Sequence, residues 1–571
     1  MAIAIAGVAA YANGFVRVFL FDDLGAIVRN PQITSLANLA AVLTPPLDTP
    51  LTGRPLVQLS FALNYAVHGL DVWGYHAVNL SLHIACALMI FAIIRRLSTP
   101  ALALGVSLLW VVHPLNSEAV MYLTQRTELM MALCLLLTVY AAVREWRTLA
   151  VVACAAGMLC KETMVVAPLV VVMLDWAYGP KPFSDTWRRR WPLYAALAAT
   201  WIIPAVMLAT RGQTTTAGFS TSGVTAWVYL LNQPAMILRY LRLSLWPSDL
   251  VLYYGWPLPL TFSAVAAPFL VVASLVVAAI VALIRWPKVG AMAVWIFVLL
   301  GPTSSLVPIA TEVGAERRMY LPLVGVLALL LTGIAWLARR AGPSMRTAPA
   351  VVVAIATVVG GATTYARNAE YASALGMAET ILARWPTPNA HHLVGAEMLV
   401  VSRHADAVPH LRIAAERYAP ARFSLGEALF GSGDPLGAVV EFERFLRDEP
   451  TLAPVRTQLL IAKAYGSEGQ LMKAIEHLTL VLAAEPAHTE ANGLMGQALS
   501  QQQRFADALP YQEAYLRAAP SNADAWASYG VALAAVGRIT DAAAAFERAL
   551  TIRPDFAAAR QALTQLGRPA K

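Results

Sequence analysis

The chain has 571 residues, of which 58% are hydrophobic and only 13% charged, and its formal net charge is +8. A mean hydropathy of +0.59 excludes an ordinary soluble globular protein and fits a multi-span membrane protein. The positive charge sits in short loops between apolar runs, which speaks for membrane-flanking loops and against a nucleic-acid surface.

A helix needs about 20 apolar residues to cross a bilayer core. Apolar runs predict about eleven spans, near 1–20, 76–94, 98–112, 128–143, 148–160, 163–179, 191–209, 262–284, 289–308, 320–338 and 347–365. Those at 98–112 and 148–160 are short. The first has neither a basic leader nor a small-residue cleavage site and reads as a retained helix, not a signal peptide. Every second loop is basic, with Arg95-Arg96, Arg144 and Arg147, Lys181 with Arg188-Arg189-Arg190, Arg285 with Lys288, and Arg339-Arg340 with Arg346. The bias of Lys and Arg toward cytoplasmic loops puts that side, and the amino terminus, inside. The alternate loops and the carboxyl-terminal part then share the outer face. Cys86, Cys134, Cys154 and Cys160 all fall in predicted spans, so the outer tail needs no disulfides.

The first outer loop opens on FLFDD. Carboxylates at a membrane boundary are costly, which makes Asp22 and Asp23 candidates for a functional site. Farther along, residues 55–67 are amphipathic, aromatic and Leu-rich, suited to lying flat in the interface. The next span places His76, Asn79 and His83 on one helical face, expected to point into the bundle either as site residues or as ordinary interhelical hydrogen-bonding groups. The second outer loop, VVHPLNSEAVMYLTQRTELM, holds His113, Glu118, Arg126 and Glu128. Arg126 either pairs with a neighbouring acid or belongs to a site. Lys161, in the tight CKETM turn, reads as a phosphate ligand or as a snorkelling helix-end residue. The fourth loop, 210–261, sets Arg239 and Arg242 among Leu, Tyr and Trp, as a groove for a phosphate-bearing lipid requires, because arginine offers paired donors to phosphate oxygens. The fifth loop crowds Glu312, Glu316, Arg317, Arg318 and Tyr320 together.

A base, cationic side chains and an apolar groove on one face suit group transfer from a lipid-phosphate donor. An aspartate takes the acceptor hydroxyl proton while arginines stabilise the leaving phosphate. GxGxxG, Walker A, HExxH and CxxC patterns are all missing from the sequence, as is a duplex-binding module. No metal, no cofactor and no nucleic-acid partner is therefore expected.

Beyond residue 366 the pattern changes. Pro486, Pro520 and Pro554 are 34 residues apart, as are Ala474, Ala508 and Ala542. In the last unit Trp526, Tyr529, Gly530, Leu533, Ala542, Phe546, Ala549 and Pro554 occupy the key positions of a tetratricopeptide repeat (TPR). Earlier units carry Gly426, Ala438, Phe442 and Pro450, and more weakly Gly395, Ala407, Leu411 and Ala414. About five units are expected over 383–560, with a helical joint at 367–382. The expected division is a transmembrane catalytic domain, 1–366, and a repeat domain, 367–571. Stacked helix pairs present a concave face to extended peptide or protein, or serve as a scaffold.

The blocks FLFDDLGAIVRNPQI, RPLVQLSFALNYAVHGLDVWGYHAVNLSLHIACAL, WVVHPLNSEAVMYLTQRTELMMA, LCKETMVVAPLVVVMLDW, LRYLRLSLWPSDLVLYY and AERRMYLPLVGV resemble, in one order, those of the TMTC family of transmembrane and tetratricopeptide-repeat O-mannosyltransferases. The resemblance implies an all-α fold, a polytopic GT-C-type helix bundle followed by an extracytoplasmic TPR α-solenoid. It implies transfer of mannose or a similar hexose from a dolichyl- or polyprenyl-phosphate donor to Ser or Thr of a protein acceptor. The catalytic base then falls on Asp22 or Asp23. Donor-phosphate binding falls on Arg317 and Arg318, with Lys161 and Arg126 as further candidates. Glu316, His113, Glu118, Arg239 and Tyr320 complete the substrate-binding set read from the outer loops. Ala- and Val-rich composition and the lack of Asn-x-Ser/Thr in the tail suggest a bacterial inner-membrane protein with its repeats outside the cytoplasm, the alternative being an ER protein with luminal repeats. Two rivals remain open: a membrane-anchored repeat scaffold for envelope assembly, and an enzyme of the same class with a glycan or lipid acceptor. A lipid-linked-sugar flippase fits less well, because its polar residues would span the bilayer depth.

Overall fold

The structure is a computed structural model that describes residues 1–16, 18–47, 49–211, 224–304, 308–309 and 311–567. Parts of the fourth and fifth predicted outer loops, 212–223, 305–307 and 310, lie outside the described residues. The chain is helical throughout and divides into two compact units, Met1–Ala390 and His391–Lys571.

Among the described residues of the first unit, six helices are long and apolar enough to cross a membrane: Val72–Leu97, Leu123–Val143, Phe183–Thr210, Phe262–Arg285, Pro322–Arg340 and Pro343–Ala372. A seventh apolar stretch is broken into Pro100–Val111 and Pro114–Met121, bent by 55°. The break has a local cause. Pro114 lacks an N–H and pushes His113 out of the helical region, and the His113 ring accepts the Leu115 N–H at 3.2 Å. The other four predicted spans hold the shorter helices Ala2–Tyr11, Arg147–Met158, Ala167–Tyr178 and Pro287–Leu300, of 10 to 14 residues.

Helix starts follow local chemistry. Thr99 accepts the Leu102 N–H at 3.2 Å ahead of Pro100, and Asp71 accepts the Trp73 N–H at 3.1 Å. The outward faces are apolar: Phe262–Arg285 exposes Phe269, Leu270, Val277 and Ile284, a surface suited to lipid, not water. The inward faces carry a few saturated polar groups. His83 donates from Nε2 to the Val111 carbonyl at 3.0 Å and faces the Tyr320 hydroxyl from Nδ1 at 2.8 Å. With Nε2 protonated, the tautomer is set and Nδ1 accepts from Tyr320. Asn79 donates to the Val120 carbonyl at 3.2 Å, so it and His83 both face protein.

The second unit is built from helix pairs. After Pro388–Val400 with His404–Ala415 come Ala421–Gly431 with Pro435–Asp448, Pro454–Ser467 with Leu471–Ala484, Thr489–Gln501 with Phe505–Ala518, and Ala523–Ala535 with Ile539–Ile552. Ala557–Gln565 closes the stack. Gly530 is required by packing, since a Cβ there would lie 2.9 Å from the Phe546 ring. Gly426 meets Phe442 in the same way. The turn inside successive pairs needs a left-handed residue, supplied by Gly469 (φ +69°), Gln503 (φ +59°) and Gly537 (φ +82°), spaced by 34.

Candidate active site

Asp22 and Asp23 are neighbours in sequence with opposite environments. Phe21 takes φ +41°, a sparsely populated backbone for a bulky residue, and this kink separates the two carboxylates. Asp23 is fully buried. It accepts the Leu20 N–H at 3.0 Å and the Thr124 N–H at 2.8 Å, tying the first loop to the second. Burial outweighs those hydrogen bonds and pushes its carboxyl up to about 7. Asp22 is open to solvent. Its backbone N–H donates to the Tyr122 hydroxyl at 3.0 Å, and that hydroxyl also bonds its carboxylate. Crowding raises the Asp22 carboxyl above the usual value, opposed by Tyr122, Arg317 and Arg54.

Side-chain contacts draw five loops together around this point. Glu118, fully buried on the second loop, accepts both the Arg317 N–H at 2.8 Å and its guanidinium. Arg317 also donates to both Glu312 oxygens at 2.6 Å. Arg318 reaches Glu312 at 3.3 Å, the Tyr229 hydroxyl at 2.9 Å and the Thr303 carbonyl at 3.0 Å. Although Glu312 is buried, Arg317 and Arg318 together hold its carboxyl down near 2. On the first loop Arg54 bonds Glu162 in the third at 3.3 Å, and the Leu56 N–H reaches the Leu159 carbonyl at 3.4 Å. His113 touches the Ser244 carbonyl at 3.2 Å, which brings in the fourth.

A tetratricopeptide-repeat family model matches residues 459–523 and 494–558. Protein O-mannosyl-transferase Tmtc1 of Drosophila melanogaster is 35% identical over 181 residues, 29% of this chain and 21% of that protein. Tmtc2 of the same organism is 29% identical over 273 residues, 43% of this chain and 29% of that protein. Human TMTC3 is 28% identical over 172 residues, 27% of this chain and 19% of that protein. The homologues of this chain are TMTC protein O-mannosyl-transferases. The matches span only about a fifth to three tenths of those proteins' own lengths. Among solved structures, the TPR protein YrrB is similar at 20% identity and a TM-score of 0.30, covering 33% of this chain and 96% of YrrB.

The remaining sequence-predicted residues of this TMTC-related chain have defined places. Arg126 is fully buried. It donates to Asn79 Oδ1 at 2.8 Å, Asn64 Oδ1 at 2.9 Å, and the Tyr75 and Ser60 carbonyls at 3.1 and 3.3 Å, over the Phe61 ring. Lys161 is buried against Glu128 in an ion pair. Glu316 accepts the Val251 N–H at 2.5 Å and the Tyr254 hydroxyl at 3.0 Å. Burial pushes its carboxyl up to about 8 in spite of nearby Arg367. Arg239 lies over both Tyr254 and Trp385 and donates to the Asp249 carbonyl at 3.1 Å. Tyr320, besides its His83 contact, accepts the Trp110 indole N–H at 2.7 Å through its carbonyl. Asp22, Tyr122, Arg54, Arg317, Glu118 and Glu312 form one cluster through direct contacts and charge interactions.

Tyr122, Arg54 and Glu312 were not among the predicted site residues. Each lies in a predicted outer loop, but nothing in a local pattern says that Tyr122 reaches back 100 residues to Asp22. A tyrosine at a membrane boundary reads equally well as an interfacial anchor.

Proposed function

We propose that the chain is an integral-membrane glycosyltransferase that moves mannose or a similar hexose from a polyprenyl-phosphate donor to Ser or Thr of a protein on the extracytoplasmic face. The observation that carries this reading is the split between the aspartates: Asp23 spends both oxygens on backbone N–H groups, while Asp22 keeps a solvent-facing carboxylate. Asp22 is the base. Its carboxylate takes the acceptor hydroxyl proton as that oxygen attacks the sugar C1. The bond from C1 to the phosphate oxygen breaks and its electron pair leaves with the lipid phosphate. Tyr122 orients the carboxylate, and the cationic residues of the same cluster balance the developing phosphate charge. The reading calls for no metal, because arginine supplies that charge.

The sidedness is supported by the opposite end of the helices. Trp146, Trp187, Trp191, Trp286 and Trp336 are exposed there beside Arg144, Arg188, Arg285 and Arg340, with Arg340 and Arg144 lying over Trp336 and Trp146. The tryptophans mark a membrane interface, and the arginines beside them favour its cytoplasmic side. The homologues' name, protein O-mannosyl-transferase, supports the acceptor class.

The test is transfer of radiolabelled sugar from polyprenyl-phosphate donors in membranes. Asp22→Asn is expected to lower transfer by about 10²–10⁴-fold at unchanged protein level. Asp23→Asn is expected to retain transfer in whatever fraction folds. Undiminished transfer by Asp22→Asn rules this mechanism out.

A further inference from the structure

Two cations act electrostatically on Asp22, Arg317 and Arg54. Arg317 is held by two carboxylates, and Arg318 lies on one of them, so two acids and two arginines cancel there. Arg126 has its donors filled by neutral acceptors, and Lys161 is closed off with Glu128. Arg54 differs. Its side chain is 22% exposed, and its one acidic partner, Glu162, is 58% exposed and no nearer than 3.3 Å. An exposed pair of that length is weak and easily exchanged for a better anion. One arm donates to the Pro50 carbonyl at 2.9 Å, which fixes the fork in place. Arg54 also opens the helix Pro55–His68. From its first turn that helix turns Leu56, Leu59, Leu63 and Val67 toward partial or full exposure on one face. A guanidinium at the head of an apolar stripe matches a phosphate that carries a long hydrocarbon tail.

Resting on the glycosyltransferase reading, we propose that Arg54 is the residue that binds the donor's lipid phosphate, with Glu162 as the anion it exchanges. The phosphate takes the Nη2 donors that now reach both Glu162 oxygens, and the prenyl chain runs along the Leu56–Val67 face. This sets the leaving group beside Asp22, on which Arg54 already acts, so proton acceptance and phosphate departure occur in one cluster.

The test uses the full-length protein in nanodiscs and reads three things: binding of undecaprenyl phosphate, sugar transfer, and thermal unfolding. Arg54→Ala is expected to weaken undecaprenyl-phosphate binding by at least about tenfold and to raise the donor KM more than it lowers kcat. Arg54→Lys falls between, since it keeps charge but loses the fork. Glu162→Gln is expected to tighten binding, because the competing anion is gone. If Arg54→Ala fails to fold, Arg54→Lys and Glu162→Gln carry the test. Unchanged affinity in a folded Arg54 variant, or weakening by Glu162→Gln equal to that of the arginine variant, overturns the proposal. Inorganic phosphate and phosphatidylglycerol serve as competitors. Weak competition by both supports a lipid-phosphate donor site, and competition by either as strong as that of undecaprenyl phosphate overturns the donor assignment. Arg54-dependent binding without sugar transfer from any donor supports the site and refutes the glycosyltransferase reading instead.

Discussion

At the scale of single residues, the chemistry is decided by which charged groups are already spent. Asp23 and Glu316 are buried acids whose carboxyls rise to about 7 and about 8. A folded state that holds a proton more tightly than the unfolded chain takes up protons on folding. Between about pH 4, where unfolded carboxyls titrate, and pH 8, these two groups therefore make stability fall as pH rises. Glu312, held near 2, acts with the opposite sign but only below that window. Buried His113 and His392 act the other way below about pH 6.5, so unfolding temperature measured in detergent is expected to decline from about pH 6.5 to 8, with a flatter profile for Glu316→Gln. An equal slope in that variant removes Glu316 from the account. Arg126 makes a second prediction. Arg126→Met strands the buried oxygens of Asn64, Asn79 and the Tyr75 carbonyl, and is expected to cost at least about 3 kcal/mol, seen as lost folded protein. The acid pair stands out in the sequence because charge at a membrane boundary is costly. Which of the two keeps a solvent-facing carboxylate was not legible, since Asp23 is tied to Thr124, a residue 101 positions away. The same holds for Arg126: its charge is visible in the sequence, while the asparagines that absorb it come from other elements.

At the scale of elements, what reads well is what is local. The 34-residue period was legible because each repeat packs on its neighbours, so its Gly, Ala, Phe and Pro positions are fixed within one unit. Gly426 under Phe442 and Gly530 under Phe546 repeat one contact. The apolar segments were legible as helices for the same reason, but their lengths were not. An apolar run does not reveal where a helix stops, and Ala2–Tyr11 ends after 10 residues where the apolar run led to an expected span of 1–20. The repeats offer a direct test of turn chemistry. Gln503 holds φ +59° where Gly469 and Gly537 stand in the flanking repeats. Gln503→Gly relieves a left-handed side-chain clash of about 1–2 kcal/mol against a glycine unfolded-state penalty of about 0.5–1 kcal/mol. A net gain of about 0.5–1 kcal/mol is expected, read as slower hydrogen exchange in Thr489–Ala518 of the full chain. Faster exchange there places the glutamine side chain in a stabilising contact instead.

At the scale of the whole molecule, the two units carry different halves of the proposed reaction. Every residue of the Asp22 cluster belongs to Met1–Ala390, whereas the helix pairs that match the tetratricopeptide model belong to His391–Lys571. Donor chemistry and acceptor recognition are therefore separable. A chain ending at Ala390 is expected to keep binding undecaprenyl phosphate and to keep transferring sugar to a short Ser/Thr peptide at high concentration. Its kcat/KM for a protein acceptor should drop by at least about tenfold, the loss of one modest binding contribution of about 1.4 kcal/mol, with kcat at saturation little changed. This pattern separates the enzyme from a scaffold. A scaffold loses all function with the repeats and is indifferent to Asp22, whereas the enzyme loses affinity with the repeats and turnover with Asp22. If the truncated chain modifies protein acceptors as efficiently as the full one, acceptor binding lies within the membrane unit, and the repeats serve another partner.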